Sequence, residues 1–320
     1  MNMTNDYLIV SSSPHVKSKD TTATIMRDML IALAPAGIFG VYHFGFNAFL
    51  LVLVCIASCV GTEYLLQRAT KKRITINDLS AAVTGLLLAY NLPPTLPLWM
   101  AVVGSFFAIF VVKFVYGGIG KNIVNPALCA RAFLLACYPA SMTNFRVDAT
   151  TGATPLEILK NSSDLTLSFK DAILGFKGGC IGEVSVILLL IGAIYLLIRK
   201  VITLEIPLSF IAVVLISSLI AGRIKVGFFQ TQTFLNGVYE IFIGGLMLGA
   251  FFMATDYTTS PLTRNGKIIF GIGCGVITSV IRLFGGYAEG VSYSILLMNL
   301  VVPFIDKYTP EKIYGGAAKR

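Results

Sequence analysis

The chain has 320 residues, of which 56% are hydrophobic and 13% charged, with a formal charge of +9 and a mean hydropathy of +0.80. Soluble domains run at about 45–50% apolar with glycine included and about 25% charged, whereas here 30 glycines come on top of the 56%. These proportions exclude a soluble globule, which needs more charge to cover its surface, and they exclude disorder. The sequence is that of an all-α polytopic membrane protein.

Residues 1–26 precede the first apolar run and form a short N-terminal segment. Residues 29–62 and 79–112 each run 34 positions without Asp, Glu, Lys or Arg, where one spanning helix needs about 20. The first run holds two passes if it turns near His43, Gly45 and Asn47. It is too long, and begins too far in, to be a cleaved signal peptide. Hydropathy and chain breakers predict ten spans: 27–44, 46–67, 78–91, 97–115, 124–140, 181–198, 204–222, 236–255, 267–284 and 289–305. They divide the chain into a five-helix unit over 27–140, a loop over 141–179, a second five-helix unit over 180–305 and a tail over 306–320. The six cysteines are scattered through apolar segments with no CxxC pair, and they read as small core residues rather than metal ligands.

With both termini in the cytoplasm, 17 of the 25 Lys and Arg residues fall inside and 7 outside, with Arg131 left within a helix. The positive-inside rule sets this orientation. The basic balance then faces the inner leaflet, so no nucleic-acid partner is implied. The loop over 141–179 lies on the extracytoplasmic side, its four cations Arg146, Lys160, Lys170 and Lys177 balanced by Asp148, Glu157, Asp164 and Asp171. A loop of that length is uncommon unless it is functional.

The two five-helix units echo one another. Thr84-Gly85-Leu-Leu-Leu-Ala with Pro93, Pro94 and Pro97 is matched by Gly244-Gly245-Leu-Met-Leu-Gly with Asp256 and Pro261, and Lys113-Phe-Val-Tyr-Gly117-Gly118 by Arg282-Leu-Phe-Gly285-Gly286. Five passes per unit invert the second copy relative to the first. Spans 78–91 and 236–255 then occupy matching positions as candidate discontinuous helices around a central pathway; kinked, glycine-rich helix packing is the simpler alternative. The inverted five-plus-five architecture resembles that of urea transporters, so a stand-alone channel for a small solute is one functional reading.

The few ionisable residues in or beside the spans include Glu63, Asp78, Lys113, Arg131, Glu183, Asp256, Arg282 and Glu289. Intramembrane charge is costly and points to function by default. Glu63 and Asp256, with carbonyls freed at helix breaks, suit a hard cation such as Na+, or they mark helix ends. Asp78 reads as a helix cap. Arg131 sits two turns into an apolar helix and suits either a ligand or a helix carboxylate. His15 and His43 have no partner set for metal or acid–base work. In the loop, Asp148-Ala-Thr-Thr151-Gly152-Ala153-Thr154-Pro155-Leu156 is a compact hydroxyl-rich turn that also suits the start of a short helix at Pro155.

Thr151-Gly152-Ala153-Thr154 resembles the Ser/Thr-Gly-Ala-Thr flavinylation motif of a family of membrane flavoproteins. That family joins the D subunit of the Rnf ion-translocating ferredoxin:NAD oxidoreductase with the B subunit of the Na+-translocating NADH:quinone reductase. Asp78-Leu-Ser-Ala-Ala-Val-Thr84-Gly85, Gly117-Gly-Ile-Gly-Lys121-Asn122-Ile-Val-Asn125-Pro126 and Ala254-Thr-Asp256-Tyr-Thr-Thr-Ser260-Pro261 resemble further family segments, in order, from Ser11 to Pro303. Tyr257 stands where family members often have Pro. The short N-terminal segment favours the Rnf side. The resemblance implies FMN esterified through its phosphate to Thr154 by a dedicated flavin transferase, with Arg146 and Lys160 near enough in sequence to pair with the phosphodiester, unless they are solvated loop charges. It implies a second, non-covalent flavin, riboflavin, toward the cytoplasmic half, served by Lys121, Asn122 and Arg131. It implies the A, B, C, E and G subunits of the Rnf complex as partners, with electrons received from the flavin of the G subunit. It further implies coupling to Na+ or H+ movement and residence in a prokaryotic cell membrane.

Overall fold

The computed structural model describes residues 20–147, 150–151, 156, 169–175, 178–183, 185–226, 238–286 and 289–310. Helix α1 (Thr22–Phe44) begins on a reciprocal cap in which the Thr21 hydroxyl accepts from Thr24 N and the Thr24 hydroxyl accepts from the Thr21 backbone N–H. It ends at Gly45, whose φ of 81° lets the chain reverse directly into α2 (Phe46–Ala69). The predicted turn is where the sequence puts it.

Helix α3 (Ser80–Tyr90) follows a short 3-10 turn, Ile76–Asp78. Asp78 Oδ1 accepts from Ser80 N at 2.9 Å and from Ser80 Oγ at 2.6 Å, the helix-start role that its position suggests. Helix α4 (Leu98–Phe107) continues as a π-helical stretch over Ala108–Phe114. Helix α5 (Pro126–Cys137) carries proline at its first turn and Asn125 as its cap. A two-residue antiparallel ladder then pairs β1 (Arg146–Val147) with β2 (Thr150–Thr151). Helices α6 (Val186–Ile198) and α7 (Glu205–Val226) come next. Helix α8 (Leu246–Leu248) runs on as a π-helical stretch over Gly249–Met253, and α9 (Arg264–Phe284) and α10 (Val291–Tyr308) complete the bundle.

Helices α1, α2 and α9 are long and apolar enough to cross a membrane, and five shorter apolar helices lie among the described residues. At 11 residues α3 is about 16 Å long, half of a bilayer's hydrocarbon thickness of about 30 Å. The predicted span 236–255 is also interrupted: residues 238–242 are helical, 243–245 are not, and Gly244 has a φ of 84°. The segment predicted over 78–91 is therefore a half-length helix, and the one predicted over 236–255 is interrupted.

The breaks meet in the middle of the bundle. Asn91, just beyond α3, donates to Leu87 O and Met253 Sδ, and Asn125 Nδ2 reaches Met253 O at 3.4 Å. The Asn299 amide spans Ile295 O, Thr259 O and Asn125 N at 3.0–3.2 Å. Three buried asparagines thus satisfy backbone that hydrocarbon would leave unpaired.

Helices before and after the loop over 141–179 meet along a seam of small residues. Tyr90 donates to Leu33 O at 2.8 Å, and its ring fills the space at Gly37 and Gly182, where a Cβ would collide with it. A Cβ at Gly40 would lie 2.6 Å from the Ile181 carbonyl. Lower on the same face Asp28 binds Arg199 at 3.1 Å and Tyr195 at 3.0 Å.

Candidate functional site

Two buried polar clusters among the described residues carry the candidate chemistry. The first lies near the end at which α1 starts. Glu63 on α2 holds Lys113 of the π-helical stretch at 2.9 Å through both carboxylate oxygens, and Lys113 also donates to Ser80 Oγ at 2.6 Å. Gln67 joins Glu63 Oε1 to Thr75. Glu63 and Lys113 are both almost fully buried, so each neutralises the other, and losing one partner strands the other charge. Glu63 is therefore an ion-pair member.

Beside this pair lies an open cleft of about 70 Å³, its surface chiefly apolar, with Lys113, Asn122, Thr255 and Asp256 among its polar lining residues. Such a lining suits a largely apolar ligand oriented by a few polar contacts. Asn122 Oδ1 is buried without a partner among the described residues. Asp256 is occupied locally by the Thr258 backbone and hydroxyl and by the Thr259 hydroxyl. Among the described residues no three His, Cys, Asp or Glu side chains are grouped to hold a metal.

The second group lies toward the opposite end, where α1 finishes and Gly40 touches Ile181. Arg131 on α5 binds Glu289, just before α10, at 2.5 Å, and also reaches Ser292 Oγ at 2.7 Å and Asn91 Oδ1 at 3.2 Å. Of the two partners open to Arg131, the carboxylate is the one the fold supplies. Arg282, in the last turn of α9, is 6% exposed and donates from Nη1 to Glu240 O at 2.8 Å. Its Nε and Nη2 are buried with no partner among the described residues. Glu183, on the 3-10 turn Ile181–Glu183, is buried against Gly245, where a Cβ would come 2.6 Å from its Oε1.

Leu156 connects this group to the loop motif. It is buried with Ala172, Ile243 and Tyr239. A Cβ placed on Gly244 would meet Leu156 Cδ2 and Glu289 Oε1 at 3.3 Å and Arg282 Nη2 at 3.7 Å, so the three converge on one bare stretch of backbone. Thr151 is in β2, paired with Arg146 of β1. Gly152, Ala153, Thr154 and Lys160 lie outside the described residues.

The fold thus divides the residues predicted for a second flavin: Asn122 lines the cleft, Lys121 is exposed and packs on Gly117, and Arg131 belongs to the other cluster. Glu289, Glu183 and Arg282 stand out in the sequence as membrane-associated charges, but not as a set. Arg131 and Glu289 are 158 positions apart, and no local pattern joins them.

Among known proteins, the model of the NQR2, RnfD, RnfE family matches residues 9–315. The chain belongs to this family. Its relatives include the D subunit of the Na+-translocating ferredoxin:NAD+ oxidoreductase complex of Acetobacterium woodii, 49% identical over 96% of this chain and 95% of that protein. The D subunit of the proton-translocating ferredoxin:NAD+ oxidoreductase complex of Clostridium ljungdahlii is 45% identical over 96% of both. The D subunit of the ion-translocating oxidoreductase complex of Methanosarcina acetivorans is 36% identical over 97% of this chain and 98% of its own length. The unpartnered guanidinium nitrogens of Arg282 are donors of the kind that pair with phosphate oxygens, and Nη2 meets Leu156 at the bare backbone of Gly244.

Proposed function

We propose that this chain is the D subunit of an ion-translocating ferredoxin:NAD+ oxidoreductase of Rnf type, an electron-carrying membrane component of a larger redox complex. The observation that carries the reading is near-end-to-end identity, 49% and 45%, to two proteins of that name. FMN would be held as a phosphodiester on Thr154, within Thr151-Gly152-Ala153-Thr154, on the extracytoplasmic side. Bound there, the flavin supplies one-electron transfer, and the protein supplies position and electrostatics.

The chain's own residues carry the rest. Leu156 anchors the loop to the bundle, and the ladder between Arg146–Val147 and Thr150–Thr151 fixes its approach. The apolar lining of the cleft and its unpaired Asn122 Oδ1 support a second, non-covalent flavin such as riboflavin nearer the cytoplasm, for which the cleft, at about 70 Å³, would have to open. Arg131 is committed to Glu289, so Asn122 and Lys121 are left to serve that flavin. The translocated ion is Na+ or H+, since relatives of nearly equal identity carry different ions in their names. Asp256 borders the cleft and is the better-placed carboxylate for it, Glu63 being held by Lys113. The ten segments are read as an inverted five-plus-five repeat like that of urea transporters; Lys113 and Arg282, each buried in a long helix shortly before a Gly-Gly pair, are its matching positions. The partners are the A, B, C, E and G subunits of the complex, with electrons arriving from the flavin of the G subunit after a flavin transferase has matured the chain. Both termini face the cytoplasm of a prokaryotic cell.

The test is the mass of the peptide containing Thr151 to Thr154, from protein purified out of its native membrane. A peptide heavier by FMN less one water, localised to Thr154, supports the redox reading. An unmodified peptide in active complex overturns it.

A further inference from the structure

We propose that Arg282 is the counter-ion of a phosphodiester monoanion at the extracytoplasmic end of the bundle, the one formed when FMN is attached at Thr154. The assignment rests on the function proposed above and names the residue that holds the attached group.

Arg282 is unusual for a buried arginine. A guanidinium offers five N–H donors in a planar fork, yet among the described residues only Nη1 is used, on the Glu240 carbonyl, while Nε and Nη2 are buried and unpaired. Donors left like this are costly, and more so on a charged group. Nε and Nη2 form the edge of the fork that takes two oxygens of a phosphate at once.

The surroundings are shaped for such a guest. Gly244 presents no side chain where Arg282 Nη2, Glu289 Oε1 and Leu156 Cδ2 converge, so the approach to the guanidinium is bare backbone. Leu156, which stands two positions after Thr154 in the chain, is one of the side chains that frame this opening.

Glu289 does not repel a phosphodiester at this opening outright, because Arg131 already binds its carboxylate at 2.5 Å.

A phospholipid headgroup offers the same phosphodiester chemistry, so the experiment separates the two sources. Whole complex is purified from native membranes carrying the wild-type chain, Arg282→Gln, Arg282→Lys or Thr154→Ala. Covalent flavin is quantified by peptide mass and in-gel fluorescence, bound phospholipid by extraction, and the protein-linked phosphodiester by its 31P resonance, identified through its absence in Thr154→Ala. Arg282→Gln is expected to lower covalent flavin by roughly tenfold, the scale of one lost charge-assisted bond. Arg282→Lys is expected to keep most of the flavin while shifting the 31P line, because an ammonium replaces the fork.

Full flavin with an unshifted 31P line in assembled Arg282→Gln overturns the assignment. If that variant fails to assemble, an unshifted line in Arg282→Lys overturns it instead. Loss of a bound phospholipid with flavin retained also overturns it, and gives the site to a lipid. A wild-type chain without flavin on Thr154 is a separate result, which removes the functional reading and the assignment together.

Discussion

At the scale of single residues the molecule is governed by how it treats charge in an apolar setting. Most membrane-associated ionisable side chains were visible in the sequence as a break in hydropathy, because one Lys or Glu among so many apolar residues is conspicuous; Asp28, at the edge of the first run and paired with Arg199, was not singled out. Pairing was not visible, since Lys113 meets Glu63 at 50 positions' distance and Arg131 meets Glu289 at 158. Glu63, which suits Na+ on sequence grounds, is instead bound to Lys113 through both carboxylate oxygens. Glu63→Gln leaves an ammonium without its anion at a site under a tenth exposed, and it should lower unfolding stability by about 3–5 kcal/mol. Glu63→Gln combined with Lys113→Met removes both charges and should recover a large part of that loss. Thermal unfolding of the purified protein in lipid nanodiscs measures both; equal losses in the single and double variants would show that the pair is not what stabilises the site.

At the scale of elements, helix positions were legible to within a few residues, because apolar run length and glycine or proline breaks act locally. The reversal at Gly45 and the interruption near Gly244 lie where those residues put them. The π-helical stretches at Ala108–Phe114 and Gly249–Met253 were not legible, since a change of helical pitch is imposed by packing and leaves no mark in hydropathy. Close helix approach is likewise a tertiary matter. Gly85 of α3 sits where a Cβ would come 2.8 Å from both the Cys55 carbonyl and the Ile56 Cα of α2, and backbone atoms cannot step aside as a side chain can. Gly85→Ala should therefore push α3 off α2 at a cost of about 1–3 kcal/mol. Gly61, with nothing within 4 Å of its Cβ position, is the matched control, and Gly61→Ala should leave the melting temperature unchanged or slightly higher. A melt in which both variants behave alike would rule out the close contact.

At the scale of the whole molecule, fold class followed from composition and family from motifs spread along most of the chain, of which the four-residue loop motif is the chemically pointed one. Thr154→Ala is expected to abolish covalent flavin and electron transfer through the complex while leaving its assembly and melting temperature intact. Gel fluorescence together with ferredoxin-dependent NAD+ reduction checks this, and normal turnover without bound flavin would sink the mechanism. The seam at Tyr90 bears on how such a complex works. Its side chain fills the space at Gly37 and Gly182, before and after the loop over 141–179, and its hydroxyl ties back to Leu33. Rocking the helices before that loop against those after it would have to extract a large buried side chain from a close-packed slot. The bundle is better suited to stand still. A redox group suspended from it would keep a constant distance to any donor docked outside, and the moving parts of ion transport would be sought in side chains, the loop or neighbouring subunits.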